Sequence, residues 1–227
     1  MQPSQPLLSP LVLRLSLWLG AAALAFGLFV TITHELLEQD VSGVDRTILI
    51  AFAHLRTPWL TVMAVDLTAL GSITLVGLIS GVAFCVLLLM KDRIGSLQLM
   101  AACAGAGIVT VATKNIIDRA RPDEVPQLVQ VSGFSYPSGH ALVATALYLT
   151  VAILVGRHLQ NLVNQMAILA MTAAIIFLVG ISRIYLGVHY PSDVASGISL
   201  GTAWALLLAG CFSLLRSRTI SEKDRRP

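Results

Sequence analysis

The stretch LTALGSITLVGLISGVAFCVLLLM, Leu67 to Met90, contains no Asp, Glu, Lys or Arg. A helix of roughly 20 apolar residues crosses the ~30 Å hydrocarbon core of a bilayer, so this run reads as a membrane span. Five further charge-free runs surround it: Leu15 to Thr33, Ser96 to Thr113, Ser138 to Gly156, Leu162 to Ser182 and Val194 to Leu215. The expectation is an all-α bundle of six transmembrane helices forming a single domain over residues 1–227. Composition agrees, because 56% of the 227 residues are hydrophobic, 12% are charged and the mean hydropathy is +0.82, which excludes an ordinary soluble domain and a disordered chain. Three cysteines, Cys85, Cys103 and Cys211, fall inside apolar runs as small buried hydrophobes, too few and odd in number for a disulfide scaffold and without zinc spacing. A net charge of +3 with no basic stripe argues against a nucleic-acid partner.

The first run resembles a signal peptide around Ala23 and Ala25, but it continues apolar to Thr33 and is expected to remain as a span. Between the first two spans, residues 34–66 mix acids with apolar positions at Val44, Ile48, Leu49, Phe52 and Leu55, a spacing that predicts an interfacial amphipathic helix. Gly77 to Gly81 and Gly197 to Gly201 are GxxxG pairs that permit close helix packing and carry no chemistry. Six spans place both termini on one face, together with Arg14, Lys91, Arg93, Arg157, Arg216, Arg218, Lys223, Arg225 and Arg226, nine of the fifteen basic residues. The opposite face holds nine of the twelve acids. The excess of Lys and Arg marks the cytoplasmic side, so a plasma-membrane protein with cytoplasmic termini is expected.

Three polar clusters gather on the opposite, extracytoplasmic face. Polar groups at membrane depth are costly and point to function. In KNIIDRARP, Lys114 to Pro122, the two cations Lys114 and Arg121 are seven residues apart. Two helical turns apart, they project from one face about 10 Å apart along the axis, suited to gripping one anion, with Asp118 bracing both, Pro122 ending the helix and Arg119 turned about 100° away. In PSGH, Pro137 to His140, Ser138 is an N-cap candidate and Gly139 lets an anion approach free N–H groups at the helix N-terminus, with His140 facing it. In SRIYLGVHYPSD, Ser182 to Asp193, Arg183 leaves a span and Asp193 follows His189 by four residues, the arrangement that holds one imidazole tautomer and frees the other nitrogen. Each cluster alone also reads as an ordinary feature: a charged helix stop, a capping turn, a histidine beside a capping aspartate. His34, His54 and His158 lack partners and read as solvated, and residues 123–136 read as a connector that could serve as a lid.

Together the clusters assemble cations, two histidines, one carboxylate and one helix N-terminus, the set that stabilises a transferring phosphoryl group. No carboxylate cluster suited to magnesium is present, so a metal-free reaction without cofactor is expected, passing through a covalent intermediate. Which histidine attacks is left open by the residues themselves.

These motifs resemble those of the type 2 phosphatidic acid phosphatases, or lipid phosphate phosphatases, relatives of vanadium haloperoxidases and glucose 6-phosphatase. K-x6-R-P, P-S-G-H and S-R-x5-H-x3-D are matched at Lys114 to Pro122, Pro137 to His140 and Ser182 to Asp193. The resemblance implies His189 as nucleophile, Asp193 as its orienting carboxylate, His140 as general acid, and Lys114, Arg121, Ser138, Gly139 and Arg183 as phosphate holders. It implies a bell-shaped pH profile and removal of a terminal phosphate from a lipid at the extracytoplasmic leaflet. The lipid classes are undecaprenyl diphosphate, phosphatidylglycerol phosphate, phosphatidate and diacylglycerol diphosphate. The competing expectations are a phosphatase or phosphotransferase using a soluble ester or a lipid or sugar acceptor, and an anion-binding membrane transporter.

Overall fold

In a computed structural model that describes residues 10–224, the chain forms eight helices: α1 (Pro10–Leu37), α2 (Ser42–His54), α3 (Pro58–Ala69), α4 (Ile73–Leu89), α5 (Arg93–Ile117), α6 (Gly139–Gly156), α7 (Leu162–Tyr185) and α8 (Pro191–Asp224). No strand occurs among the described residues. The tail bases Arg225 and Arg226, and the side chains of Arg218 and Lys223, lie outside that description. Helices α1, α5, α6, α7 and α8 are each long and apolar enough to cross a bilayer, which makes this a multi-pass membrane protein.

The stretch that most clearly reads as one span is the one that departs from expectation. Residues 58–89 form two helices bent by 45°, and only the pair together reaches span length. Two residues explain the break. Ser72 adopts an extended conformation and its hydroxyl accepts from Leu75 N–H at 3.2 Å, starting α4 afresh. Gly71 sits so tightly that a Cβ there would stand 2.8 Å from Val179 Cγ1 and 2.9 Å from the His140 carbonyl oxygen. Tyr148 of α6 donates to the freed Leu70 carbonyl at 2.9 Å. The bend therefore seats the α3–α4 junction against the start of α6.

Helix α6 is the axis of the bundle, in contact with α4, α5, α7 and α8, while α1 lies along α8 at the periphery. Small residues allow the α6–α8 approach: Cβ atoms at Gly197 and Gly201 would each fall 2.6 Å from an α6 carbonyl, of Ser138 and Leu142. The similar pair Gly77 and Gly81 meets nothing within 4 Å. The motif is therefore a packing contact at one place and an open helix face at the other.

Residues 42–54 form a helix, with Leu49 fully buried against Val125, Ala141, Ile184 and Val194. Ile48 and Phe52 pack alongside, whereas Val44 and Leu55 remain exposed. The stripe that α2 buries includes Asp45, only 2% exposed, so the helix leans on the bundle through a carboxylate as well as through apolar groups.

Candidate active site

Four long helices start or stop at one end of the bundle, and the polar clusters are carried there. Lys114 lies in the last turn of α5, Ser138, Gly139 and His140 open α6, Arg183 lies in the last turn of α7, and Asp193 lies in the first turn of α8. The connecting segments 118–138 and 186–190 add Arg119, Arg121, Ser135 and His189. The opposite end of the bundle is closed by a separate group, in which Arg216 pairs with Asp92 at 2.7 Å and Arg157 donates to Gln98 Oε1 at 3.0 Å.

His189 is 2% exposed and Asp193 fully buried. His189 Nδ1 lies 3.4 Å from Asp193 Oδ2 and 3.3 Å from Ser135 Oγ. Arg121 Nη1 lies 3.3 Å from the other ring nitrogen, Nε2. A guanidinium can only donate, so this contact requires the lone pair on Nε2 and leaves the ring proton on Nδ1, toward the carboxylate. Burial pushes the His189 imidazole down to about 4, with the Asp193 hydrogen bond and charge opposing it only in part. The ring is thus neutral at ordinary pH, and the Nε2 lone pair, which here accepts from Arg121, is the one an electrophile would take. Asp193 is held on every side: Oδ2 accepts from Ser135 Oγ and from Tyr190 N–H (2.9 Å), and Oδ1 accepts from Arg119 (2.6 Å).

The cations converge on the same space. His140 lies within electrostatic reach of Arg183, His189, Arg121 and Lys114. A Cβ at Gly139 would be 4.0 Å from Lys114 Cε, which puts the α6 N-terminus beside that ammonium. Arg183 Nη1 donates to Thr68 Oγ1 at 2.9 Å. Its Nε, and Ser138 Oγ, are buried without a hydrogen-bond partner among the described residues. Ser138 does occupy the N-cap position of α6, but its side chain makes no capping bond. An uncommitted hydroxyl and an uncommitted guanidinium N–H beside free helix N–H groups fit a phosphate, since buried donors are rarely left unpaired without a ligand to take them.

The structure corrects the helical-stripe argument. Helix α5 ends at Ile117, and Asp118 turns into the left-handed region at φ 44°, so Lys114 and Arg121 do not share a helix face. Arg121 instead reaches the cluster from an irregular segment, where its guanidinium donates to the carbonyls of Gly133 (2.9 Å), Ser132 (3.1 Å) and Val188 (2.9 Å). Lys114 Nζ donates to the Phe134 carbonyl and, at 3.3 Å, to that of Ser135. Asp118 is exposed and, among the described residues, bonds to neither cation. Arg119, set aside on helical phase, is in fact bonded to Asp193. Two more participants escaped sequence reasoning: Ser135, which has no local signature, and Asp45, 148 positions before Asp193.

Segment 123–136 is largely exposed but anchored at several points. Val125 is buried, Leu128 N–H donates to the Leu186 carbonyl at 2.9 Å, and Arg56 Nη1 donates to the Pro126 carbonyl at 2.9 Å. His34, His54 and His158 are exposed, His34 with Glu38 at 3.3 Å.

A bundle of membrane helices that ends in a buried imidazole and carboxylate, ringed by cations and unpaired donors, defines the class of membrane phosphoryl-transfer proteins. Comparison with known proteins makes the assignment particular. The family model of the PAP2 superfamily matches residues 95–216. The phosphatidylglycerophosphatase B of Bacillus subtilis is 34% identical over 187 residues, covering 82% of this chain and 91% of that protein. The decaprenylphosphoryl-5-phosphoribose phosphatase of Mycobacterium tuberculosis is 39% identical over 106 residues, 43% of this chain and 53% of that one. The crystal structure of the transmembrane PAP2 type phosphatidylglycerolphosphate phosphatase from Bacillus subtilis superposes with a TM-score of 0.78 at 29% identity, covering 84% of this chain and 94% of that one. The chain belongs to the PAP2 superfamily and is a phosphoric ester hydrolase.

Proposed function

We propose that the chain, acting as one integral-membrane domain, hydrolyses the terminal phosphate of a lipid monophosphate or diphosphate through a phosphohistidine at His189. The observation that carries this reading is the tautomer imposed on His189: Nδ1 toward Asp193, Nε2 toward Arg121 and the cation cluster. The Nε2 lone pair attacks phosphorus. The bond to the lipid oxygen breaks with its electron pair on that oxygen, which takes a proton from His140. In the second half, His140 receives a proton from water as the water oxygen attacks phosphorus, and the P–N electron pair returns to Nε2. Asp193 keeps the ring oriented and stabilises the charge it gains. Lys114, Arg121, Arg183, Ser138 Oγ and the Gly139 N–H hold the phosphoryl oxygens, taking over from the carbonyls of residues 132–135 that now accept from the first two cations.

The site lies where spans end, at headgroup depth, so a lipid can present its phosphate while its chains stay in the bilayer. The excess of basic residues on the opposite face supports an extracytoplasmic site with cytoplasmic termini, and α2 then lies along the interface on the site's side. The relative that covers most of this chain carries the name phosphatidylglycerophosphatase, which puts phosphatidylglycerol phosphate first among the substrates to try. Undecaprenyl diphosphate, phosphatidate and diacylglycerol diphosphate follow.

The test is release of inorganic phosphate by reconstituted protein from these four lipids and from glucose 6-phosphate. At least one lipid should outpace the soluble ester, and His189→Ala, while still folded, should lower that rate by about a thousandfold or more. Unchanged release by the variant would remove the nucleophile, and a preference for the soluble ester would remove the lipid.

A further inference from the structure

Asp193 does not hold His189 alone; behind it stands a second buried acid. Arg119 Nη1 donates to Asp193 Oδ1 (2.6 Å) and Ser192 Oγ (2.8 Å), and its Nη2 donates to Asp45 Oδ2 (2.7 Å). Asp45 closes the circuit, with Oδ1 accepting from Ser192 N–H (2.9 Å) and Oδ2 from Ser192 Oγ (2.5 Å). The guanidinium also lies over the Tyr190 ring, 4.1 Å from its centroid. The Arg119, Asp45 and Asp193 side chains are 14%, 3% and 0% exposed. Burial works against the charge on Arg119, but Asp193 and Asp45 more than offset it and raise its proton affinity above the ordinary arginine value.

We propose that Arg119, clamped by Asp45 of α2, is a positioning residue for the His189–Asp193 pair, so that α2, which lies outside the segment matched by the family model, belongs to the catalytic apparatus. The inference rests on His189 as the nucleophile. Its physical content is geometric and electrostatic. One guanidinium fork spans two carboxylates, which fixes the plane of Asp193 and hence the aim of His189. Because Asp45 shares the guanidinium charge, Asp193 retains part of its own negative charge for the imidazole. The guanidinium N–H groups of Arg119 are spent on Asp193, Ser192 and Asp45, so it acts through Asp193 rather than on phosphate.

Two substitutions separate this role from simple support of the fold. Around His189 stand Asp193 of α8, Arg183 of α7, His140 of α6, and Arg121 and Ser135 of segment 118–138, and neither substitution alters any of them. In Arg119→Gln, Asp193 loses its countercharge and binds the imidazole proton harder, so the acid limb of kcat/KM moves to higher pH. In Asp45→Asn the whole Arg119 charge falls on Asp193, and the limb moves to lower pH.

The experiment measures kcat, KM and the pH profile of the full chain in detergent on a lipid phosphate that the wild type hydrolyses. Arg119→Gln should lower kcat about 10- to 100-fold with KM changed less than about threefold, and the double variant should be no worse than Arg119→Gln alone, because the two residues act as one unit. Wild-type kcat and pH profile in Arg119→Gln overturn the proposal, as does a rise in KM at constant kcat, which would put Arg119 on substrate. If Arg119→Gln does not fold, Arg119→Lys decides, since an ammonium keeps the charge but cannot span both carboxylates: kcat should still fall, and a wild-type value overturns the proposal. His189→Ala is the separate control: full turnover there sinks the phosphohistidine reading itself, whereas an inactive His189→Ala beside a wild-type Arg119→Gln sinks only the positioning role.

Discussion

The two ends of the bundle each place an aspartate at the start of a long helix and answer it with an arginine, yet they differ in what else the carboxylate does. Asp92 caps α5 by accepting from Gly95 N–H at 2.9 Å, and Arg216 Nη2 donates to its two oxygens at 2.7 and 2.9 Å. Asp193 starts α8, takes Arg119, and shares its second oxygen with Ser135, Tyr190 N–H and the imidazole of His189. The first arrangement exhausts itself in joining α5 to α8. The second hands its charge on to a titratable ring beside cations and unpaired donors. An ion pair at a helix end is structural by default; a histidine on the same carboxylate and uncommitted phosphate-binding groups across from it make the difference.

The contrast can be broken first by pH. His189 is held down to about 4, so it stays neutral and nucleophilic well below the ordinary histidine range. The sign follows directly: activity should persist as pH falls through 6 and 5, then drop about tenfold per unit below about 4. A limb of kcat/KM near the ordinary histidine value of about 6.5 would mean that the imidazole is not shielded as the structure has it.

A smaller effect sharpens the other side. Burial works against the charge on Asp92, but the Arg216 hydrogen bond and the Gly95 N–H outweigh it and hold the carboxyl below the usual carboxylate range. A lowered folded value contributes stability that is present at neutral pH and lost on acidification through that value. Asp92→Ala should therefore cost about 1 kcal/mol near pH 7, seen as a Tm lower by about 2–4 °C, with the difference from wild type shrinking in acid. Because the group lies at the far end, kcat and KM should stay within about twofold. A tenfold fall in kcat with Tm unchanged would show that the two ends are coupled.

The elements legible in the sequence are those whose signal is local. Four of the apolar runs, from Ser96 onward, match α5 to α8 within three or four residues at most ends, because exclusion of charge from lipid is read residue by residue; α8 alone runs on well past its apolar stretch. The Leu67 to Met90 run misled, since hydropathy is blind to a capping serine after a glycine, although Ser72 ahead of an apolar run is itself a helix-start signal. Counting 100° steps turns Arg119 away from the stripe only along an unbroken helix, and α5 ends at Ile117; once Asp118 leaves the helical region, phase carries no information. Asp45 and Thr68 had no local signature, because their partners, Arg119 and Arg183, lie 74 and 115 positions away and only the packing of α2 and α3 on the bundle brings them together.

The most direct test is to look for the covalent intermediate. Purified protein is mixed with phosphatidylglycerol phosphate labelled in its terminal phosphate, quenched in base within one turnover, and mapped by mass spectrometry. Label bound to His189, stable in base, released by acid and lost in His189→Ala, is the predicted result; burst release of phosphate from the wild type with no labelled protein, or label on any other residue, would contradict the account.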